Sequence, residues 1–274
     1  MSTFADLHIH TFYSDGTSSP REVVEEAHQK NLSCIAITDH DTIEGIAPTQ
    51  EAAKKYNMEV IPAIELSTEI NGKDIHVLGY LFDCQNRELK EILESNQADR
   101  VERMGKMIGR LKELGVKDIE LKEVCARVQS KSVGRPHLAA ALVEKGIVRD
   151  MKEAFDKYLA EGAPAYVSKF KQTPFEAIAL IKKTGGIAVL AHPMLTQIDE
   201  LIPRLVREGL GGLEVYYPNC LPSIVEFYER IAQKHNLVMT GGSDAHGKAK
   251  KHTYIGKLKI PYELVERLKE RIKK

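Results

Sequence analysis

The stretch Phe4-Ala5-Asp6-Leu7-His8-Ile9-His10 has the apolar character of a buried β-strand, and it ends in two histidines. Because side chains alternate along a strand, His8 and His10 lie on the same face, and both imidazoles can reach one ion. Ligand-type residues at the carboxyl end of a strand are typical of the active face of an α/β barrel. The stretch therefore predicts a first barrel strand that carries part of a metal site.

Further short apolar runs follow this strand and alternate with amphipathic helical stretches. Strands are predicted at 34–38, 60–64, 187–191, 212–216 and 237–241. A hairpin of residues 68–70 and 74–78 is predicted around Asn71-Gly72, a strong turn signal. Repeated strand–helix alternation predicts a parallel sheet joined by right-handed crossovers. With about seven such units, we expect an α/β fold related to the (β/α)8 barrel.

The pattern between about residue 86 and residue 165 is helical throughout. Helices are predicted at about 86–114, 119–128, 136–145 and 150–160, separated by glycines. We therefore predict an all-helical cap of residues 86–165, inserted into a barrel domain of residues 1–85 and 166–274.

The composition restricts the class of protein. Among 274 residues, 39 Lys and Arg balance 39 Asp and Glu, which argues against bulk electrostatic binding to nucleic acid or an anionic membrane. Neither an apolar run long enough to span a bilayer nor a signal peptide is recognised, so we expect no membrane partner. Four widely spaced cysteines without a CxxC pair predict reduced thiols and a cytoplasmic location. No obligate protein partner is evident.

Nearly every predicted strand ends in a metal-type ligand. These residues are His8, His10, Asp39, His40, Glu65, His76, His192, Glu214, Asp244 and His246. Without an ion, such a cluster would suffer mutual repulsion and desolvation at apolar strand ends. Imidazoles and carboxylates without thiolate suit Zn, Mn or Fe, and we expect two to three divalent ions. His28 and His235, by contrast, are expected to be ordinary surface or core residues.

The motifs around these residues resemble the PHP family, named for polymerase and histidinol phosphatase. In chain order they are Asp6–Thr11 with Ser14-Asp15-Gly16, Ile37–His40, Pro62–Glu65, His76–Tyr80, Ala191-His192-Pro193 and Ser243–His246. The resemblance implies a distorted (β/α)7 TIM-like barrel with a trinuclear metal centre. It implies that His8, His10, Glu65 and Asp244 hold one ion, that Asp15, His40 and His246 hold a second, and that Glu65, His76 and His192 hold a third. Asp15 stands where the family often has histidine, and a carboxylate there favours a harder ion such as Mn.

The cap adds candidate substrate-binding residues. The segments 134–137 and 162–167 resemble those of stand-alone nucleotide phosphatases and 5′-to-3′ RNA-trimming enzymes. Pro136 can begin a helix, whose N-terminus would place Arg135 and His137 where an anion is favoured. We therefore predict that Arg135 and His137 bind a substrate phosphate, with Lys169 as a weaker third candidate.

Together these features predict a metal-dependent phosphoesterase that acts on small nucleotide-type monoesters, either nucleoside 5′-monophosphates or 3′,5′-bisphosphates. We expect attack by a hydroxide that bridges the ions, which agrees with the lack of a GxSxG or a Walker-type motif. His246, His137 and a metal-bound water are candidates for the general acid.

Three alternatives remain open at this point. The first is a 5′-to-3′ exoribonuclease on short RNA, which salt-sensitive activity on oligoribonucleotides would distinguish. The second is a histidinol-phosphate phosphatase, which a panel of monoesters would distinguish. The third is a non-catalytic metal-binding protein, which hydrolysis of an aryl phosphate would exclude.

Overall fold

In the computed structural model, residues 3–168, 172–250 and 252–272 are described. Within these ranges eight strands occur, most of them separated by helices, so the predicted α/β class is confirmed. None of the helices in these ranges combines the length and the apolar character that a membrane span requires. The strands are β1 (Phe4–Ile9), β2 (Cys34–Ile37), β3 (Glu59–Ile70), β4 (Lys73–Tyr80), β5 (Ile187–Leu190), β6 (Gly212–Tyr216), β7 (Val238–Gly241) and β8 (Ile260–Pro261).

The strands form one sheet that nearly closes into a barrel. Their order is β7-β6-β5-β4-β3-β2-β1-β8. A parallel bridge between Ile9 and Ala245 brings the end of β1 against the segment after β7, and His10 N donates to Ala245 O at 2.9 Å. The predicted TIM-like barrel is therefore confirmed, and its carboxyl end gathers the ends of β1, β2, β5, β6 and β7.

Strand β4 distorts the barrel because it runs antiparallel to both β3 and β5. The predicted hairpin turn is present, with positive φ at Asn71 (52°) and Gly72 (82°). The prediction of separate strands at 60–64 and 68–70 is wrong, since β3 runs unbroken through both. The two-residue strand β8, which pairs antiparallel with β1, is too short to give a sequence pattern.

The helices predicted at about 86–114, 119–128 and 136–145 are present, with bounds that differ by a few residues. Helix α1 (Pro20–Gln29) begins with a capping box in which Ser19 and Glu22 bond each other's backbone N–H. The helices are α1 (Pro20–Gln29), α2 (Ile46–Ala53), α3 (Arg87–Glu113), α4 (Leu121–Cys125), α5 (Arg135–Glu144), α6 (Met151–Ala154), α7 (Pro174–Lys183), α8 (Pro193–Thr196), α9 (Ile202–Glu208), α10 (Pro222–Lys234) and α11 (Tyr262–Ile272).

Helices α3 to α6 lie between β4 and α7 and share an apolar core of their own. This core runs from Met104 on α3 to Ala165, whereas Leu89 and Leu93, near the start of α3, pack against the barrel. The helix predicted at 150–160 is shorter because a π-helical turn, Phe155–Leu159, follows α6. The division into a barrel and an 86–165 cap stays a prediction.

The segment before α5 fastens the helical insertion to the carboxyl end of the barrel. Gln129 N donates to Phe12 O at 2.9 Å, and Ser130 Oγ donates to Tyr13 O at 2.6 Å. Both acceptors belong to the loop that leaves β1. The insertion therefore lies directly beside the predicted metal ligands.

Candidate metal centre

Glu65, on β3, lies at the centre of the ligand-type residues and is 1% exposed. Its Oε2 atom is 3.2 Å from both His10 Nε2 and His40 Nδ1. Its Oε1 atom is 2.8 Å from His76 Nδ1 and 3.1 Å from His192 Nε2. Burial alone would raise the pKa of Glu65, but the surrounding imidazoles, chiefly His40, His76 and His8, hold it well below its ordinary value. The side chain is therefore an anion in contact with several nitrogen ligands.

His8 and His10 project from β1 to the same side, as strand alternation predicts, with their Nε2 atoms 3.2 Å apart. Asp244 Oδ1 lies 3.5 Å from His8 Nε2 and 3.3 Å from His10 Nε2. Tyr217 Oη and Lys250 Nζ both donate to the other oxygen of Asp244, at 2.8 and 2.9 Å. The carboxylate of Asp244 is thus held with Oδ1 facing the imidazoles.

Glu214, in the middle of β6, contacts His8 and the backbone of His192. Its Oε1 atom is 2.8 Å from His8 Nδ1, and its Oε2 atom accepts from the backbone N–H of His192 at 2.8 Å. A proton on His8 Nδ1 that is donated to Glu214 leaves the lone pair on Nε2, the nitrogen that faces Glu65 and Asp244. A carboxylate behind a histidine is the usual support of a metal-binding imidazole. The fully buried Glu214 is therefore a positioning residue and not a direct ligand.

Asp15, His40 and His246 form the other side of the cluster. Asp15 Oδ1 lies 3.2 Å from His246 Nε2, and Asp15 Oδ2 lies 3.8 Å from His40 Nε2. His246 Nδ1 is 2.9 Å from the carbonyl oxygen of Asp244 and can donate to it. This bond leaves the Nε2 lone pair of His246 facing Asp15, which favours a ligand role over the general-acid role considered above.

The loop that carries Asp15 is anchored by a second acid. Asp39, 1% exposed, accepts from Thr11 N at 2.7 Å, Thr11 Oγ1 at 2.6 Å and Ser14 Oγ at 2.6 Å. Gly16 permits a close turn, since a Cβ there would lie 2.5 Å from His10 O. Asp39, which the sequence places among the strand-end acids, therefore holds the loop in place and is not in the ligand cluster.

The residues present fit divalent metal ions. Among the described residues, three groups each bring ligand atoms within 4.8 Å of one another: His10, Asp15, His40 and His246; His8, His10 and Glu65; His40, Glu65 and His76. Asp15 Oδ1, His40 Nδ1 and His192 Nδ1 are buried and make no well-aligned hydrogen bond within the described ranges, although the first two lie 3.2 Å from His246 Nε2 and Glu65 Oε2. Cations would satisfy buried oxygens and nitrogens of this kind, and the mixture of oxygen and imidazole ligands without thiolate suits Zn, Mn or Fe.

The three groups overlap with the sets that the sequence predicts for three ions. The predicted first and second sets are brought together, with Asp244 beside His8 and His10. His76 lies with His40 and Glu65, and His192 approaches Glu65 from the side of β5. The assignment of each residue to a particular ion stays a prediction.

A cavity of about 190 Å³ opens between these residues and the helical insertion. The ligand-type side chains Asp15, His40, His76 and His246 line one part of it. Basic side chains line another part: Arg100, Arg103, Arg135 and Lys250. Four cationic side chains beside a candidate metal centre form a site suited to a phosphorylated molecule.

The three arginines are held in place to different degrees. Arg100 donates from Nε to Asp41 Oδ2 at 2.8 Å, and Arg135 Nη2 donates to Asp74 Oδ2 at 3.1 Å. Arg103 donates from Nε to a backbone carbonyl, but its buried Nη2 finds no hydrogen-bond partner in the described part of the chain. Burial and the neighbouring Arg135 and Arg100 lower the pKa of Arg103 to about 10, so it is still a cation at neutral pH.

The structure places the three predicted substrate-binding residues in different surroundings or leaves them undescribed. Arg135 lines the cavity, whereas Lys169 lies outside the described residues. His137 is 7% exposed, accepts from Gly134 N at 2.9 Å through Nδ1, and donates from Nε2 to Ser14 O at 2.8 Å. Burial also lowers the pKa of His137. Since both ring nitrogens bond to backbone atoms, His137 has no free donor for a substrate or for proton transfer here, and it fastens the cap to the Asp15 loop.

Sequence reasoning missed Arg100, Arg103 and Lys250. Arg100 and Arg103 are three residues apart on α3 and therefore share a helix face. Many surface helices carry arginines at this spacing, so no sequence pattern indicates that these two are enclosed.

A family model for the PHP domain matches residues 6–246. The chain is similar to a 5′-3′ exoribonuclease of Haemophilus influenzae, with 32% identity over 247 residues that cover 88% of this chain and 89% of that protein. It is also similar to a 3′,5′-nucleoside bisphosphate phosphatase of Chromobacterium violaceum, with 31% identity over 246 residues that cover 88% and 86% of the two chains. A crystal structure from Bifidobacterium adolescentis, described as a metal-dependent phosphoesterase, superposes with a TM-score of 0.89 at 31% identity and covers 97% of this chain and 96% of that chain.

Proposed function

This chain belongs to the PHP family and is a metal-dependent phosphoric ester hydrolase, and from that premise we propose that it removes phosphate from nucleotide-type monoesters. The substrates proposed are nucleoside 5′-monophosphates and 3′,5′-bisphosphates. The observation that carries this proposal is the cavity in which Arg100, Arg103 and Arg135 lie together with the candidate metal ligands. One end of the cavity suits the reacting phosphate, and the arginines suit a further anionic group.

We assign the metal-binding role to the nine residues of the cluster, in two to three sites for Mn, Zn or Fe. His8, His10, Glu65 and Asp244 would hold one ion. Asp15, His40 and His246 would hold another, and Glu65, His76 and His192 a third. When bound, such ions supply Lewis-acid chemistry and activate water for attack on phosphorus.

The protein's own groups then bind and orient the substrate. The arginine side chains supply planar donors for phosphate oxygens, and Arg103 Nη2 is available for such a bond within the described structure. Lys250 Nζ, 2.9 Å from Asp244 Oδ2, adds a positive charge at the edge of the centre. Phosphoryl transfer depends mainly on such positioning and charge stabilisation, so a nucleophilic side chain is not required.

A second candidate function is 5′-to-3′ trimming of short RNA. It is favoured by the likeness to the Haemophilus influenzae exoribonuclease over most of both chains. The same cavity would then hold a 5′-terminal phosphate against the arginines. We retain a small phosphorylated molecule as the proposed partner, and the cytoplasmic location and the lack of a protein partner stay predictions.

Phosphate release from a substrate panel tests the proposal. Mn-reconstituted enzyme would be assayed with an aryl phosphate, histidinol phosphate, nucleoside 5′-monophosphates, nucleoside 3′,5′-bisphosphates and short 5′-phosphorylated RNAs. We expect the highest kcat/KM with a mononucleotide. Highest activity on RNA, with strong salt sensitivity, would favour the exoribonuclease instead. No hydrolysis of any ester would contradict both functions.

Replacing Arg135 with alanine tests the role of the arginines. We expect kcat/KM for the preferred nucleotide to fall roughly ten- to 150-fold, because a hydrogen bond to a charged group is lost. This factor corresponds to a loss of about 1.5–3 kcal/mol of transition-state stabilisation. Hydrolysis of a small aryl phosphate should fall less, and metal content should not change. Arg149→Ala, at an exposed arginine of the insertion, is the matched control. Equal losses on both substrates would assign Arg135 to the reacting phosphate, and no loss on either would make it structural.

A further inference from the structure

A second cavity, of about 560 Å³, lies between the loop after β1 and helix α5. It shares Asp15 and Pro136 with the arginine-lined cavity, so the two cavities border the same edge of the candidate metal centre. Its wall includes five partly exposed apolar side chains: Phe12, Pro136, Ala140, Val143 and Met151. Apolar surface is therefore left open to solvent directly beside Asp15.

The size and lining of this cavity are those of a small-molecule site. Such sites usually have volumes of roughly 300–1,000 Å³, apolar walls and a few polar groups that give orientation. Here the polar groups lie towards solvent, where Gln129 and Lys248 are exposed. Arg127 also lines the cavity, but two bonds of 2.8 and 2.6 Å to Glu144 already engage it. The cavity is thus poorly suited to a second phosphate and well suited to an aromatic ring.

We propose that this cavity binds the purine or pyrimidine base of the nucleotide whose phosphate lies at the metal centre. The proposal rests on the proposed function and specifies where the substrate binds. Asp15 is a candidate metal ligand and also lines this cavity. A single nucleotide could therefore place its phosphate at the metal centre and its base in the cavity. A planar base has apolar faces for Phe12, Val143 and Met151 and polar edges for Gln129 and Lys248. The arginines then contact an anionic group on the other side of Pro136.

Filling the cavity tests the proposal. Ala140→Phe and, separately, Val143→Phe place an aromatic ring at partly exposed positions of α5 that line the cavity. Val143 also packs against the core of the insertion, so Ala140→Phe is the variant that perturbs this core less. The substrates are adenosine 3′,5′-bisphosphate and its abasic sugar bisphosphate analogue. We expect KM for the nucleotide to rise roughly tenfold or more in both variants, with a change of less than about threefold for the abasic compound. Ala126→Phe, at an exposed position of the insertion outside the cavity, is the matched control.

Several outcomes distinguish this proposal from the proposed function. Equal KM changes for the two substrates, or none in either variant, would overturn base binding. Thermal unfolding of each variant checks that the insertion still folds. If the wild type hydrolysed neither compound, the proposed function would fail. Base binding would then be tested separately, by comparing the calorimetric affinities for adenosine 5′-monophosphate and ribose 5-phosphate. Tighter binding of the nucleotide that is lost in Val143→Phe would support the base site, and equal binding would refute it.

Discussion

Glu65→Gln should lower kcat/KM for an aryl phosphate by about a thousand-fold or more and should reduce the bound metal. The side chain contacts imidazoles from both sides of the cluster, and both of its oxygens are within 3.2 Å of ring nitrogens. An amide keeps the shape but removes the negative charge, and a metal's contribution to transition-state stabilisation is several kcal/mol. Steady-state kinetics and elemental analysis of the same preparation measure both effects.

Glu59→Gln is the matched control for this substitution. Glu59 begins the same strand but bonds Tyr262 and Lys269, away from the metal centre. Its replacement should leave activity within a few-fold of the wild type. Activity of Glu65→Gln within tenfold of the wild type, at unchanged metal content, would remove Glu65 from the centre of the site.

His192→Ala should lower turnover by roughly a hundred-fold or more with little loss of fold. The imidazole lies beyond the end of β5, 3.1 Å from Glu65, and its Nδ1 atom bonds to no group within the described residues. The barrel core beneath it is formed by Val189 and Leu190, which the substitution does not touch. We would measure kcat together with thermal unfolding.

His235→Ala serves as the control for His192, because His235 caps the carboxyl end of α10 and is not one of the nine candidate ligands. It should retain wild-type turnover. If His192→Ala were as active as His235→Ala, the side chain would not belong to the site. A large loss of thermal stability in His192→Ala would instead indicate a structural role.

Local sequence patterns were sufficient to predict the barrel and most of the metal cluster. Alternation along β1 placed His8 and His10 on one face, and the positions of His192 and Asp244 after predicted strands placed them near the same end of the barrel. Glu65 reaches this cluster from within β3, although the sequence predicted it to follow a strand. These features could be predicted because strand periodicity is a property of the local sequence and strand–helix alternation favours parallel strands. No partner far away in sequence is needed to infer them.

Local patterns could not distinguish a candidate metal ligand from a carboxylate that only holds such a ligand in position. Glu214 and Asp39 were predicted near strand ends together with the candidate ligands, yet they bond His8, the backbone of His192 and the Asp15 loop. Which of two neighbouring carboxylates faces the centre depends on the packing of several strands. The length of β3 was also missed, because the antiparallel partner β4 extends it past the predicted break.

The basic part of the cavity is another feature that depends on tertiary structure. Arg100 and Arg103 face the metal centre because the segment before α5 fastens the insertion to the loop after β1, through contacts such as that of Gln129 with Phe12. A helix with charged residues at this spacing looks solvent-exposed when it is read alone. The sequence therefore predicted Arg135, next to a recognisable motif, and not its two neighbours on α3.

The metal content of active protein tests the account most directly. Purified enzyme would be analysed for Mn, Zn and Fe per chain, with phosphatase activity followed as the ions are removed by a chelator and restored. The nine candidate ligands exceed what one tetrahedral or octahedral ion can use. We predict two to three ions per chain, loss of activity in parallel with their removal, and recovery on adding Mn. Full activity with at most one ion per chain, or activity that survives complete removal, would contradict the account.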